Sequence, residues 1–336
     1  VKMRKLTTTD AFVLLDLEDG PVHVGTVRSA PKILQSGAEM LARSVTYSFA
    51  AFGIEAGGAS AGVNAAPEDR AAAVAAFAAE VAGWDGIRLD AGKGVDAADL
   101  AELQAADPRP AVLTDAVDGI TGAERLTLAG IVAAATAAAG ALSGARVAIE
   151  GFGPAGLALA RAVEAAGGGV TAVATGAGTL LAPDGISADT LAAGWDAHGE
   201  GLVKQLEGTQ KPGWAIWGAP ADIVFTGSKA GALTHEGVPH LGARAVVPTG
   251  PVPVTTKAVA AMLRSGVIYV PDFLALAAPL LVGAEAASVD DAPGRITEAV
   301  GRHAGHPDGL LLGACAASED FLRTWRPAPP FGRPLA

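Results

Sequence analysis

The sequence predicts an α/β protein of two domains, with a doubly wound parallel sheet in the second. Three observations carry this. Short apolar or alternating runs recur along the chain, separated by segments with helical periodicity. At VAIEGFGPAGLALARAVEAA, from Val147 to Ala166, a strand, a glycine turn and a helix follow one another directly. The chain has 336 residues, 50% of them hydrophobic, which is enough for two cores of ordinary size.

The elements follow in order. FVLLDL and VHVGTV read as two strands around the turn Glu18-Asp19-Gly20-Pro21. Residues 36–52 read as a helix, with Leu41, Val45 and Phe49 at fourfold spacing. Gly53 to Ala65 reads as a glycine-rich loop. Ala66 to Trp84 reads as an Ala-rich helix carrying Pro67, Glu68 and Asp69 in its first turn. GIRLD is a short strand ending at Asp90, and GKGVDAADLAEL begins another helix near Gly92. From Gly122 a long helix leads to the strand at Val147, then come the helix Ala155 to Ala166 and the strand VTAVAT. WAIWG, DIVFTG, ARAVVPTG and VIYVPD are the later strands, with Trp214 and Trp217 packing under the sheet. The expected division is 1–121, an α/β domain; 122–300, a Rossmann-like domain; and 301–336, returning to the first. The Pro-rich end RPAPPFGRPLA is expected to be loose.

Composition narrows the partners. A net charge of −11 gives a nucleic-acid role no electrostatic support. One cysteine, Cys315, excludes a disulfide framework, and its plain reading is a small buried hydrophobe. His303 and His306 have the spacing of a metal pair but no third ligand, so no metal is expected. No apolar region follows the basic VKMRKLTTTD, so a cytoplasmic protein is expected. Leu126 to Ala145 is uncharged, but it is rich in Ala and Gly and ends in a turn signal, which favours a buried helix over a membrane span.

Gly151-Phe152-Gly153-Pro154-Ala155-Gly156 fits G-x-G-x-x-G between a strand and a helix. Gly151 permits the tight turn, Gly153 admits a pyrophosphate to the backbone, and Gly156 lets the helix pack on the sheet. Pro154 opens the helix, and the N–H groups of Ala155, Gly156 and beyond form the terminus aimed at the phosphates. Thr175 stands where the second strand usually ends in an acid that accepts from the ribose hydroxyls. Its loss removes repulsion toward a 2′-phosphate, yet no Arg or Lys lies nearby in sequence, so NAD and NADP both remain open.

Beyond the glycine turn, an ordered series of segments resembles the glutamate/leucine/phenylalanine/valine dehydrogenases, from about Ala11 to Leu281. GTVR resembles GGxR, and LARSVTYSFAAFGIEAGGASAGV resembles LAxxMTYKxAxxGLxxGGxKGGI. LDAGKGVDAADL, VAIEGFGPAG, VTAVATGAGTLLAPDGI and VIYVPDFLALAAPLL resemble further segments in the same order. The resemblance implies that an aspartate at Asp90 serves as acid/base, and that Thr127 contacts the nicotinamide amide. It also implies lysines at Ser48, to hold the substrate α-carboxylate, and at Ser60, to activate the water or carbonyl. Both lysines are absent, and the family's PD-xxx-N asparagine falls on Leu276. Between Leu6 and Val203 the chain's lysines are Lys32 and Lys93. Reversible deamination needs an ammonium for the carboxylate and a lysine base of lowered pKa, and a serine hydroxyl replaces neither.

The candidate catalytic residues are therefore Asp90, Ser60, Ser48 and Lys93. His23, Arg28 and Leu276 are candidates for the substrate. Each has a plainer reading: Asp90 as a helix cap, Lys93 as a solvated lysine, His23 as a structural histidine, Arg28 as a fold-supporting ion pair, Ser60 as a small residue in a tight loop. Three functions follow. One is an NAD- or NADP-dependent oxidoreductase acting on an imine, ketone, amine or alcohol without the standard α-amino-acid head. The second is a non-redox acid/base enzyme, for a cyclisation or dehydration, with Asp90 as the acid/base. The third is a catalytically inactive scaffold. The first is the expectation, with a small-molecule substrate and, by the resemblance, a homo-oligomer. The Ala- and Gly-rich composition is compatible with a GC-rich bacterial genome and a role in specialised metabolism.

Overall fold

The computed structural model describes residues 1–105, 107–117, 120–328, 330 and 332–335. The chain forms two compact units, one of Val1–Ala111 with Cys315–Pro334, the other of Val112–Ala314.

The first unit holds strands β1 (Lys2–Lys5), β2 (Ala11–Leu15), β3 (His23–Ala30), β4 (Gly57–Asn64) and β5 (Ile87–Ala91). Its helices are α1 (Gln35–Ala51), α2 (Arg70–Val81) and the short α3 (Ala101–Ala105). The strands lie in the order β1-β2-β4-β3-β5. β4, β3 and β5 run parallel, and β2 and β1 extend the sheet antiparallel. Alternation sets the two faces. Val13, Leu15, Val27, Ala59, Ala61 and Val63 pack with Val74, Phe77 and Val81 of α2. Phe12 and Leu14 pack with Ala38 and Ala42 of α1 on the other face.

The glycine-rich segment expected to be a loop is a central strand. GGASAGVN is strand β4 because α1 lies directly on it: a Cβ at Gly58 would sit 1.8 Å from the Ala42 carbonyl oxygen. Glycine there serves a close approach of backbones rather than a turn. The helix expected from Gly92 begins later, as a 3-10 turn at Ala97–Leu100.

The second unit starts with the two-residue strands β6 (Ala116–Val117) and β7 (Ile120–Thr121). Then come α4 (Gly122–Ala139), β8 (Arg146–Glu150), α5 (Pro154–Ala165), β9 (Gly169–Thr175), β10 (Gly178–Ile186), α6 (Ala188–His198), β11 (Thr209–Lys211), β12 (Ile223–Thr226) and β13 (Ala245–Pro248). It continues through α7 (Thr256–Ser265), β14 (Ile268–Tyr269), α8 (Asp272–Ala275), α9 (Ala278–Gly283) and α10 (Ala292–His303). The sheet order is β11-β10-β9-β8-β12-β13-β14. From β9 to β14 it is parallel, and β10 and β11 add an antiparallel edge. β9 and β12 flank β8 on opposite sides, so the topological switch lies at β8, whose C-terminal end is where ligands bind in such sheets. The uncharged helix α4 starts in a reciprocal capping box of Thr121 and Glu124 and buries Leu126, Gly130, Ile131, Ala134 and Ala135. Among the described residues no helix is long and apolar enough to cross a membrane.

WAIWG is not a strand. Gly213–Gly218 forms a 3-10 turn, in which Trp217 is buried and Trp214 is 63% exposed. Aromatic spacing alone imitated strand alternation there. The last helix, α11, spans Leu310–Trp325. Leu322 packs with Leu17 and Ala50, and Tyr47 Oη donates to Glu319. The terminal segment expected to be loose is tied down. Arg333 Nε donates to Glu319 Oε1 at 2.6 Å, and Arg43 Nη1 donates to the Gly332 carbonyl at 2.6 Å. Arg43 also holds the buried Asp16 carboxylate at 2.7 and 2.8 Å. Pro329, Phe331 and Ala336 of that segment lie outside the described residues.

Candidate functional site

In the first unit, register gathers part of the expected set. Ser60 on β4 pairs with Thr26 on β3, and Thr26 pairs with Asp90 on β5. Register neighbours share a face, so Ser60, Thr26 and Asp90 form one row about 10 Å from end to end. Thr26 was not singled out in the sequence, because only the strand pairing places it between the other two. Arg28 lies on the same face, since a Cβ at Gly92 would touch both Arg28 Cγ and Thr26 Cβ.

Asp90 is not a helix cap. It sits in β5, and both its oxygens accept from Arg109: Nη1 to Oδ2 at 2.9 Å and Nη2 to Oδ1 at 2.6 Å. Arg109 also binds Asp107, through Nε at 2.8 Å and Nη2 at 2.6 Å. The Asp90 side chain is 44% exposed and that of Arg109 only 10%. Burial works against the Arg109 charge, but the hydrogen bonds to Asp90 and Asp107 outweigh it and raise its pKa. Burial likewise pushes the Asp107 carboxyl up, and Arg109 more than offsets it, leaving it below its ordinary value. Arg109 escaped the sequence reading because it lies 19 residues beyond Asp90.

Ser60 is fully buried, and its Oγ has no hydrogen-bond partner among the described residues. Ser48 is buried on α1 and turns its hydroxyl back to the Ser44 carbonyl at 3.2 Å. Arg28 is half-buried. Its Nε and Nη2 are buried without a partner among the described residues, and burial lowers its pKa. His23 is buried with Nε2 against the Leu17 carbonyl. Burial, the largest influence, lowers its pKa despite that contact. Lys93 is exposed in the loop after β5.

In the second unit the glycine turn has a defined geometry. Gly151 has φ +81°, and a Cβ there would lie 2.8–3.0 Å from Ser228, so only glycine fits. Gly153 is extended at φ −171° and caps α5, with Pro154 in the first turn. A Cβ at Gly153 would meet only Trp195, at 3.6 Å, which leaves the approach to the turn open. Gly156 is buried, and a Cβ there would press on Phe152 at 3.1 Å. The first helical bond runs from Leu157 N to Gly153 O, so the N–H groups of Ala155 and Gly156 project from the helix end. Pro154 and Ala155 are exposed there. These residues fit a dinucleotide pyrophosphate.

Around this turn Glu150, at the end of β8, receives Thr226 Oγ1 at 2.8 Å, Gly227 N at 3.1 Å and the Ser228 hydroxyl. It thereby ties the β12 loop to the glycine turn. Thr175 ends β9; its hydroxyl donates to the Glu200 carbonyl at 2.7 Å and accepts from Ala177 N at 3.1 Å. Thr127 is half-buried on α4 and donates to the Ala123 carbonyl at 2.8 Å. Leu276 is half-buried at the end of α8. Asp272 is buried and accepts from Val252 N at 2.9 Å, where Val252 holds φ +50°. Among the described residues no group of His, Cys, Asp and Glu could hold a metal ion.

Comparison with known proteins agrees with this arrangement. Residues 119–282 match the family model described as Glutamate/Leucine/Phenylalanine/Valine dehydrogenase. The chain is 29% identical over 168 residues to an NAD-specific glutamate dehydrogenase of Staphylococcus aureus, covering 49% of this chain and 40% of that one. It therefore spans well under two thirds of that relative. A hetero-hexameric glutamate dehydrogenase from Thermus thermophilus, in its Leu-bound form, superposes with a TM-score of 0.79 at 22% identity, over 97% of this chain and 89% of that one. The L-tryptophan dehydrogenase of Nostoc punctiforme superposes with a TM-score of 0.64 at 18% identity, over 96% of each chain. At these identities the superpositions establish the two-domain α/β fold. Through its segment 119–282, a little under half of the chain, the protein is similar to the glutamate/leucine/phenylalanine/valine dehydrogenases.

Proposed function

We propose that this chain is an NAD(P)-dependent oxidoreductase whose substrate is an imine, ketone, amine or alcohol without the standard α-amino-acid head. The second unit binds the dinucleotide at Gly151, Gly153, Pro154, Ala155 and Gly156, and the first unit presents the substrate residues. The bound nicotinamide would accept or donate the hydride. The single observation that carries the reading is the row Ser60–Thr26–Asp90. Two hydroxyls, that of Ser60 buried, and a carboxylate held by Arg109 stand on that face, and the sequence resemblance would put a lysine at Ser60. That face would donate hydrogen bonds to a carbonyl or hydroxyl oxygen from Thr26 and Arg28, both half-buried. It supplies no ammonium at Ser48 or Ser60 to fix an α-carboxylate and no lysine to act as general base. Asp90 is the proton-transfer candidate, and Arg28 offers guanidinium N–H groups to an oxygen of the substrate.

The Asp90–Arg109 clamp also favours a second reading, a catalytically inactive scaffold, because both Asp90 oxygens are already engaged by Arg109. Turnover separates the two. A panel of ketones, imines, amines and secondary alcohols is assayed by nicotinamide absorbance, beside glutamate, leucine and phenylalanine. The oxidoreductase reading expects turnover of a member of the first group, reduced about 100-fold or more in Asp90→Asn. Efficient turnover of the three amino acids would contradict it, and cofactor binding with no turnover across the panel would move the assignment to the scaffold. We further propose, from the sequence resemblance, that copies of the chain associate.

A further inference from the structure

We propose that Glu200 supplies the carboxylate missing from the end of β9, and that it selects NAD(H) over NADP(H). The inference rests on the dinucleotide reading above. With the pyrophosphate on the glycine turn after β8, the adenosine ribose lies at the C-terminal end of the next strand, β9, where an acid normally accepts from its hydroxyls. Thr175 occupies that end, but its hydroxyl already donates to the Glu200 carbonyl at 2.7 Å and accepts from Ala177 N at 3.1 Å. Its hydroxyl is thus engaged within the strand end, as donor and as acceptor, and holds the Glu200 backbone there.

The side chain of Glu200 fills the space beside it. Gly176 carries no Cβ, and a Cβ there would lie 2.6 Å from Glu200 Oε2 and 3.6 Å from Oε1. The carboxylate therefore rests directly over Gly176, within one side-chain length of the position the usual acid would reach. Gly176 lies in the hairpin turn between β9 and β10, but its φ is not left-handed, so that turn does not itself demand glycine, and the missing Cβ makes room for the carboxylate. Glu200 belongs to the 3-10 turn Gly199–Lys204 that follows α6, and it is exposed. Among the described residues, neither a hydrogen bond nor an ion pair engages its carboxylate. A free carboxylate there accepts from the 2′- and 3′-hydroxyls of NAD and repels the 2′-phosphate of NADP. Lys204 and Lys211 are the cations nearest in sequence, and neither is ion-paired with Glu200. The acid has moved from the strand to the next helical turn, and Gly176 is its imprint on β9.

The test is a calorimetric titration of the full chain with NADH and with NADPH, in the wild type, in Glu200→Gln and in Glu200→Gln with Thr175→Asp. Glu200 is exposed, so Glu200→Gln should keep the wild-type unfolding temperature, and a melt of the double variant confirms that it is folded before titration. The wild type is expected to bind NADH about tenfold or more tightly than NADPH. Glu200→Gln should weaken NADH about tenfold and close the gap, and Thr175→Asp should restore NADH binding in that background. NADH binding that is unchanged in Glu200→Gln, or a wild-type preference for NADPH, would overturn the role of Glu200 while leaving the dinucleotide reading intact. Failure of every variant to bind either nucleotide would overturn both.

Discussion

His23 shows how a single residue can look functional in sequence and be fixed by packing in the structure. It lies on an alternating strand, yet its ring is buried against the Leu17 carbonyl. Burial lowers its pKa below the ordinary 6.5, so the folded state resists protonation that the unfolded chain accepts. The unfolded chain thus binds more protons below that value, and stability should fall as pH drops from about 7 toward 5. Urea denaturation at pH 7.5 and pH 5.5 should show a smaller loss in His23→Gln than in the wild type; equal losses would place the effect elsewhere. Ser60 shows the reverse. Its side chain is small and fully buried, and the nearest carboxylate in its row, Asp90, is already held by Arg109. Ser60→Lys should destabilise the chain by about 3 kcal/mol or more, because an unpaired ammonium would be buried. A stable Ser60→Lys protein that deaminates amino acids would contradict this account of the site. Arg109→Leu would leave Asp107 without its guanidinium partner and should lower the unfolding temperature by several degrees.

At the scale of elements, the two units were legible to different degrees. β8, α5 and β9 were plain because strand, glycine turn and helix are contiguous and each signal is local. β4 was misread because Gly, Ala and Ser have low strand propensity. Those residues are there for the approach of α1 to Gly58, a tertiary cause invisible in a window of sequence. The clamp on Asp90 and the carboxylate over Gly176 were missed for the same reason, since Arg109 and Glu200 arrive from later segments. The glycine turn itself makes a divided prediction. Gly151→Ala should cost about 2 kcal/mol or more, from its positive φ and the contact with Ser228. Gly153→Ala, extended and with open space around it, should leave stability within about 1 kcal/mol and weaken dinucleotide binding. Denaturant curves paired with NADH titrations separate the two.

For the whole molecule, the chain crosses from one unit to the other and comes back. The return is fastened by Tyr47–Glu319, Glu319–Arg333 and the hold of Arg43 on Gly332. A chain ending at Trp325 would lose the last two of these. It should unfold its first unit at lower temperature while its NADH affinity stays within about twofold, because the glycine turn belongs to the second unit. Everything proposed for function depends on that second unit accepting a nicotinamide dinucleotide. The direct test is calorimetric titration of the intact protein with NAD⁺, NADH, NADP⁺ and NADPH. Micromolar binding of at least one of them, abolished or much weakened by Gly153→Ala, is the predicted result. No heat of binding at millimolar nucleotide, from a protein that melts cooperatively, would contradict the redox account and leave the glycine turn as a feature of fold alone.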